Sequence, residues 1–204
     1  MKHLSLFFCF LIISCANVSD RNKKPESFIG IKGGNLIYEG EITEVSNKVI
    51  FNLYRSSELK PVRLLIASIG GEIGAGMELG NWVRRNQLDV EVTAGCASSC
   101  ANYVFPAGRT KYLRKDSILL WHGSAWQTVL DDELKLDRNF NNYITSMREA
   151  ETNFFADIEV DNLLCTYGQS KITFWDYLLN LLGKGTAGYD YSLTDMKKFG
   201  LSNI

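Results

Sequence analysis

A run of small residues, Gly95-Cys96-Ala97-Ser98-Ser99-Cys100-Ala101-Asn102, carries two adjacent hydroxyls between an alternating segment and an apolar one. Val90-Glu91-Val92-Thr93-Ala94 before it reads as a strand, and Ala101 to Phe105 after it as a buried helix ending near Pro106-Ala107-Gly108. A serine at such a turn lies at a helix N-terminus, where free N–H groups favour developing negative charge. A hydroxyl becomes a useful nucleophile near neutral pH only beside a base. One of the two histidines, His122, closes a second apolar run, Ser117-Ile118-Leu119-Leu120-Trp121, a rigid place for that base. A third feature is Gly70-Gly71, directly after another apolar run. A glycine there lets a backbone N–H face a cleft with no side chain in the way. With the N–H of Cys100 behind Ser99, two donors could converge on a tetrahedral oxyanion, commonly worth 10²–10³ in rate per donor.

These residues need elements to hold them. Leu36 to Ile42 reads as a strand with Gly40 at a bend, and Glu44 to about Ser57 as an amphipathic helix. Pro61 stops that helix, and Val62 to Ala67 suits a strand buried on both faces. Ala75, Met77, Leu79, Trp82 and Val83 mark a helix closing near Asn86. Strand, helix, strand, helix implies right-handed crossovers and a mainly parallel sheet. Thr110–Leu113 and Ser117–Trp121 read as two short strands around Lys115-Asp116. From about 131 to 160, Leu136, Phe140, Tyr143, Met147, Ala150, Phe154 and Ile158 step by three or four. This long helix packs either on its own core or on a second copy of the chain. Ile172 to Leu182 reads as a further helix, and Ser192 as the N-cap of a short one ending at Gly200.

The chain has 204 residues, 46% hydrophobic and 22% charged, enough for one sizeable core. A net charge of -1 and the lack of a basic patch speak against a nucleic-acid partner. Residues 1–14 have the layout of a secretory signal, with Leu4–Ile13 too short to span a bilayer. Ile12-Ile13-Ser14-Cys15 resembles the bacterial lipobox, which implies lipidation at Cys15 and a membrane tether over 15–27. Ala16 after the cysteine leans toward the outer membrane. The folded domain then spans 28–204. In an oxidising compartment a disulfide is expected among Cys96, Cys100 and Cys165. Cys100–Cys165 is the preferred pair, and buried free thiols are the alternative.

Taken together, these motifs resemble the proteolytic subunit of the Clp protease, within the Clp–crotonase fold. The stretch Gly95–Gly108 resembles its nucleophile helix, Gly108–His122 the strands leading to its histidine, Ser68-Ile69-Gly70-Gly71 its serine-proline-glycine-glycine turn, and Ser192–Leu201 its closing helix. The resemblance implies a spiral of β-β-α units with a mainly parallel sheet and a long projecting helix. It implies Ser99 as nucleophile, His122 as general base, and Gly71 and Cys100 as oxyanion donors. It implies a peptide or protein substrate, and no cofactor or metal. Two positions depart: Ile69 stands where the family has proline, and Gly188 aligns with the family's aspartate. Asp190 is the best substitute, with Asp157, Asp161 and Asp176 as further candidates. Ser98 is the second choice of nucleophile, and an unoxidised Cys100 thiol a third. Related membrane-bound signal-peptide peptidases use a serine–lysine pair, and Lys111 and Lys115 lie before His122, but the histidine fits the pattern better. An exported chain would have neither the ATP nor the unfoldase that feeds the cytoplasmic enzyme. The expected function is therefore a Clp-like serine hydrolase of the cell envelope, acting unaided on flexible peptides. The alternatives are a non-catalytic peptide-binding or scaffold lipoprotein and, more remotely, a crotonase-type acyl-CoA enzyme.

Overall fold

The computed structural model describes residues 27–127, 137–171 and 188–204. Two strands open the domain, β1 (Phe28–Lys32) and β2 (Asn35–Glu39), as an antiparallel hairpin. Its turn is Gly33-Gly34, both at positive φ, a region glycine enters without steric cost. Helix α1 (Glu44–Ser56) comes next; the Thr43 hydroxyl accepts from the Ser46 N–H, and Glu44 lies in the first turn. Strand β3 (Arg63–Ser68) leads into α2 (Ile73–Arg85), and α2 into β4 (Asp89–Ala97). Then come a π-helical turn, α3 (Cys100–Val104), and a single turn, α4 (Phe105–Ala107). Strands β5 (Lys111–Leu113) and β6 (Ile118–Leu120) complete the sheet. The long α5 (Arg138–Ile158), short α6 (Leu163–Thr166), a 3-10 turn (Tyr167–Lys171) and α7 (Leu193–Lys198) end the domain.

The strand order is β1-β2-β3-β4-β5, with β6 also on β4. Among the described strands, every pairing beyond the hairpin is parallel. Strand β4 is long enough to serve two neighbours along one edge. Val90–Val92 pair with β5, and Gly95–Ala97 pair with β6. Between them β4 bulges against β3, since Ile66 pairs with Val92 but Ser68 with Cys96. A bulge bends a strand and re-aims the residues beyond it. Here it sends the C-terminal end of β4 toward β6.

Beneath the sheet, α2 meets α3 through glycine. A Cβ at Gly76 would stand 2.7 Å from both the Ser99 Cβ and the Tyr103 ring, and one at Gly80 would strike the Tyr103 carbonyl. Their spacing of one helical turn puts both glycines on one face. That face lets the backbone of the serine turn lie directly on the helix. Phe154 and Phe155 of α5 close the core edge-on to each other, with Tyr103 edge-on to Phe154.

Several sequence expectations need correction. The disulfide joins Cys96 to Cys100, not Cys100 to Cys165. Both side chains enter the same core space from either side of the turn, with Cα atoms 5.3 Å apart, a normal spacing for a bridge. Cys165 is a buried free thiol on α6. Oxidation also removes Cys100 as a thiol nucleophile. Helix α5 begins at Arg138, and residues 131–136 lie outside the described residues. Its expected stripe is buried only toward its C-terminal end, through Phe154 and Ile158, while Tyr143 is exposed. The buried face instead takes in Ile144, Glu151 and Phe155. The expected helix over Ile172–Leu182 and the candidate Asp176 also lie outside the described residues. Phe28–Lys32, for which no strand is expected from the sequence, is a strand because β2 pairs with it along its whole length.

Candidate active site

Strand β4 ends at Ala97, and the chain turns at Ser98, whose φ of 54 is left-handed. The Ser98 N–H donates to the Leu120 carbonyl at 3.0 Å, so the turn is stapled to the end of β6. Ser99 then enters the right-handed helical region as the N-cap position of α3, with a buried side chain. The disulfide closes a covalent ring around Ala97, Ser98 and Ser99, from the next-to-last residue of β4 to the first residue of α3.

Opposite lies the loop between β3 and α2. Gly70 has a φ of 93, and a Cβ there would stand 2.6 Å from the Ala97 carbonyl and 2.9 Å from the Ser99 nitrogen. The Ser68 hydroxyl accepts from the Gly70 N–H at 3.0 Å and shapes this turn. A Cβ at Gly71 would overlap the carbonyl of Ile42, its bridge partner. Only glycine fits both places. The structure therefore brings the Gly70-Gly71 turn and the serine turn into contact, as the spacing predicts.

The Ser99 hydroxyl donates to the Gly71 carbonyl at 2.8 Å. It is thus held by the same residue that carries one expected oxyanion donor, and not by the imidazole. His122 lies two residues past β6, beside the turn, because Ala97 pairs with Leu120 and Asn102 reaches Gly123. Its side chain is exposed, and among the described residues the ring has no hydrogen-bond partner. Its main chain is held closely. Trp121 exchanges hydrogen bonds with Tyr189 at 2.9 and 2.7 Å, and the His122 carbonyl accepts from Gln169 Nε2 at 2.6 Å.

The carboxylate candidates stay apart from the ring. No hydrogen bond or ion pair joins Asp190 to His122; burial raises the Asp190 carboxyl above its ordinary range, partly offset by the Tyr191 N–H. Asp157 is exposed on α5, and Asp161 caps the Leu163 N–H at 2.9 Å. Gly188 packs against β6, where a Cβ would stand 2.7 Å from the Leu120 side chain and 2.8 Å from the Trp121 carbonyl. The position that the resemblance aligns with aspartate has no room for one. Lys111 is buried and donates to the carbonyls of Gly108 and Ser202, at the far end of β4 from the serine turn, and Lys115 is exposed. Among the described residues, no group of three His, Cys, Asp or Glu gathers to hold a metal.

Sequence reasoning misses the group that supports the histidine turn. Asn102 Nδ2 donates to the Gly123 carbonyl at 2.8 Å, the Ala125 N–H donates to Glu151 Oε2 at 3.1 Å, and Arg148 Nε donates to the Ala125 carbonyl at 2.8 Å. The available signal is a carboxylate within the apolar stripe, between Met147 and Phe154 and beside Ala150.

A parallel sheet with crossover helices, and a serine turn seated on a double-glycine loop, define an α/β protein of the Clp-protease-like fold. Residues 30–150 match the family model of the Clp protease. The chain belongs to the Clp protease family. A single-residue mutant of ClpP1 from Listeria monocytogenes superposes with a TM-score of 0.52 at 17% identity, covering 82% of this chain and 87% of that one. ClpP1 from Listeria monocytogenes aligns at a TM-score of 0.49 and 16% identity, covering 83% and 89%. At such identities the likeness is one of fold. No curated protein matches the chain.

Proposed function

We propose that the chain is a serine peptidase of the Clp type, held at the bacterial cell envelope by lipid on Cys15 after removal of residues 1–14. Ser99 Oγ attacks the peptide carbonyl carbon, and His122 takes the hydroxyl proton. The N–H groups of Gly71 and Cys100 receive the oxyanion. His122 returns its proton to the leaving amine, and water then releases the acyl group from Ser99 with His122 again as base. The observation that carries this reading is the contact between the serine turn and Gly70-Gly71, with His122 at the neighbouring strand end. For the attack, the Ser99 hydroxyl must leave the Gly71 carbonyl and turn to the ring. Asp190 is the proposed orienting carboxylate, reached by movement of the Gly188–Asp190 segment. The Cys96–Cys100 disulfide suits an oxidising compartment. The exposed N-terminal half of α5 is the surface proposed for a second copy of the chain.

A second reading, a non-catalytic binding or scaffold protein of the envelope, is favoured by the crowded Gly188 and the hydroxyl tied to a carbonyl. A fluorophosphonate probe separates the two. Labelling of the wild type that vanishes in Ser99→Ala and drops in His122→Ala supports the peptidase. No labelling of folded protein supports the binder. Palmitate incorporation lost in Cys15→Ser tests the anchor.

A further inference from the structure

Three side chains from two elements grip the turn 123–125: Asn102 on the Gly123 carbonyl, Arg148 on the Ala125 carbonyl and Glu151 on the Ala125 N–H. Glu151 is fully buried, in the middle of α5, where an apolar residue would fit the stripe. A buried carboxyl is costly to keep unless its hydrogen bonds matter. Ser124 is buried with it, and its hydroxyl accepts from the Trp126 N–H at 3.2 Å. Meanwhile the His122 ring lacks a carboxylate partner among the described residues, and Gly188 leaves no room for one beside β6.

We infer that Glu151 is the positioning residue for His122: it fixes the Ala125 N–H, locks the 123–125 turn onto α5, and so aims the imidazole through its backbone. This rests on the peptidase reading for its purpose, but not for its geometry. Glu151 acts on the turn as a hydrogen-bond acceptor. Burial raises its carboxyl above the ordinary range, against the pull of Ser124, the Ala125 N–H, Tyr103 and the charge of Arg148. Burial likewise lifts the Tyr103 hydroxyl and the Cys165 thiol well above their usual values, with Glu151 adding to both. Glu151 Oε1, the Tyr103 hydroxyl and Asn102 Oδ1 share this buried space without a well-formed hydrogen bond, which leaves Oε2 on Ala125 as the firm contact. An amide oxygen can make that contact as well as a carboxyl oxygen can.

The test uses the full chain with His3→Asn, which leaves one histidine to observe. Ring-carbon-labelled His122 is followed by NMR, alongside thermal unfolding and the rate of fluorophosphonate labelling. Glu151→Gln should keep the wild-type ring resonance and a labelling rate within about threefold. Glu151→Leu should retain a cooperative melt, move the ring resonance to the position of an unfolded peptide, and label at least about tenfold more slowly. A folded Glu151→Leu protein with an unchanged ring resonance overturns the proposal. Should Glu151→Leu fail to fold, Arg148→Met loosens the same turn from its other carbonyl, and an unmoved resonance there overturns it equally. A wild type that never labels defeats the peptidase reading, while the ring resonance still decides the positioning.

Discussion

Reduction of the Cys96–Cys100 disulfide is the sharpest perturbation of the serine turn, because it changes no other atom. The bridge joins residues four apart, so it closes a loop of about five residues. Loop-closure entropy for that length is roughly 7 cal/mol/K, or about 2 kcal/mol at 25 °C. In a domain of this size, that corresponds to a fall in Tm of about 4–8 °C. Both cysteines are fully buried, so a mild reductant should not reach the bridge in the folded protein. The expected behaviour is therefore slow: reduction proceeds only after unfolding, and refolding in reductant gives the lower Tm. Thiol titration in denaturant supplies the control. Within residues 28–204 the oxidised chain should show one reactive thiol, Cys165, and the reduced chain three. The ring also encloses Ser99, so amide exchange at Ser99–Ala101 should rise more than elsewhere. An oxidised and a reduced protein melting within a degree of each other, with equal exchange at the turn, would refute the reasoning.

Three further outcomes are expected from the packing and charges. Gly76→Ala should destabilise in urea despite a helix-propensity gain of about 1 kcal/mol, because the new methyl meets Ser99 and Tyr103 at 2.7 Å, an overpacking worth about 1–3 kcal/mol. Gly188→Asp should lower Tm without speeding fluorophosphonate labelling; a faster rate would show that β6 yields to admit an orienting carboxylate. Burial, helped by the charge of Arg84, lowers the Lys111 amine to about 8, so the unfolded chain holds the extra proton above that pH. Wild-type stability should accordingly rise between about pH 8 and 10 relative to Lys111→Met, and parallel pH curves for the two would discard that account.

Much of the scaffold can be read in the sequence because the signals are local. Thr43 and Ser192 cap the helices expected to start there, each hydroxyl accepting an N–H three residues on. The mostly apolar run before Gly70-Gly71 is the central strand β3, fully buried on alternate side chains rather than on both faces, and the glycine pair meets the serine turn. Other expectations fail where partners far along the chain compete. Cys100 had two possible mates, and the turn at Ser98 sets Cys96 against it. The helix after Ser99 is π-helical rather than α-helical, and it lies against Gly76 and Gly80, a contact that no local pattern announces.

By itself, the sequence carries the fold class, the family and most of the strand and helix order, and it offers candidates for nucleophile, base and donors, because residue type and short spacing set these. Only the tertiary structure decides which of those groups touch. It ties the Ser99 hydroxyl to Gly71, leaves the His122 ring outside, fills the aspartate position with β6, and recruits a carboxyl from mid-helix to hold the histidine turn. The physical reason is that hydrogen bonds across the core depend on angstrom-level register between elements, and that register is set by how buried faces interlock rather than by any stretch read alone.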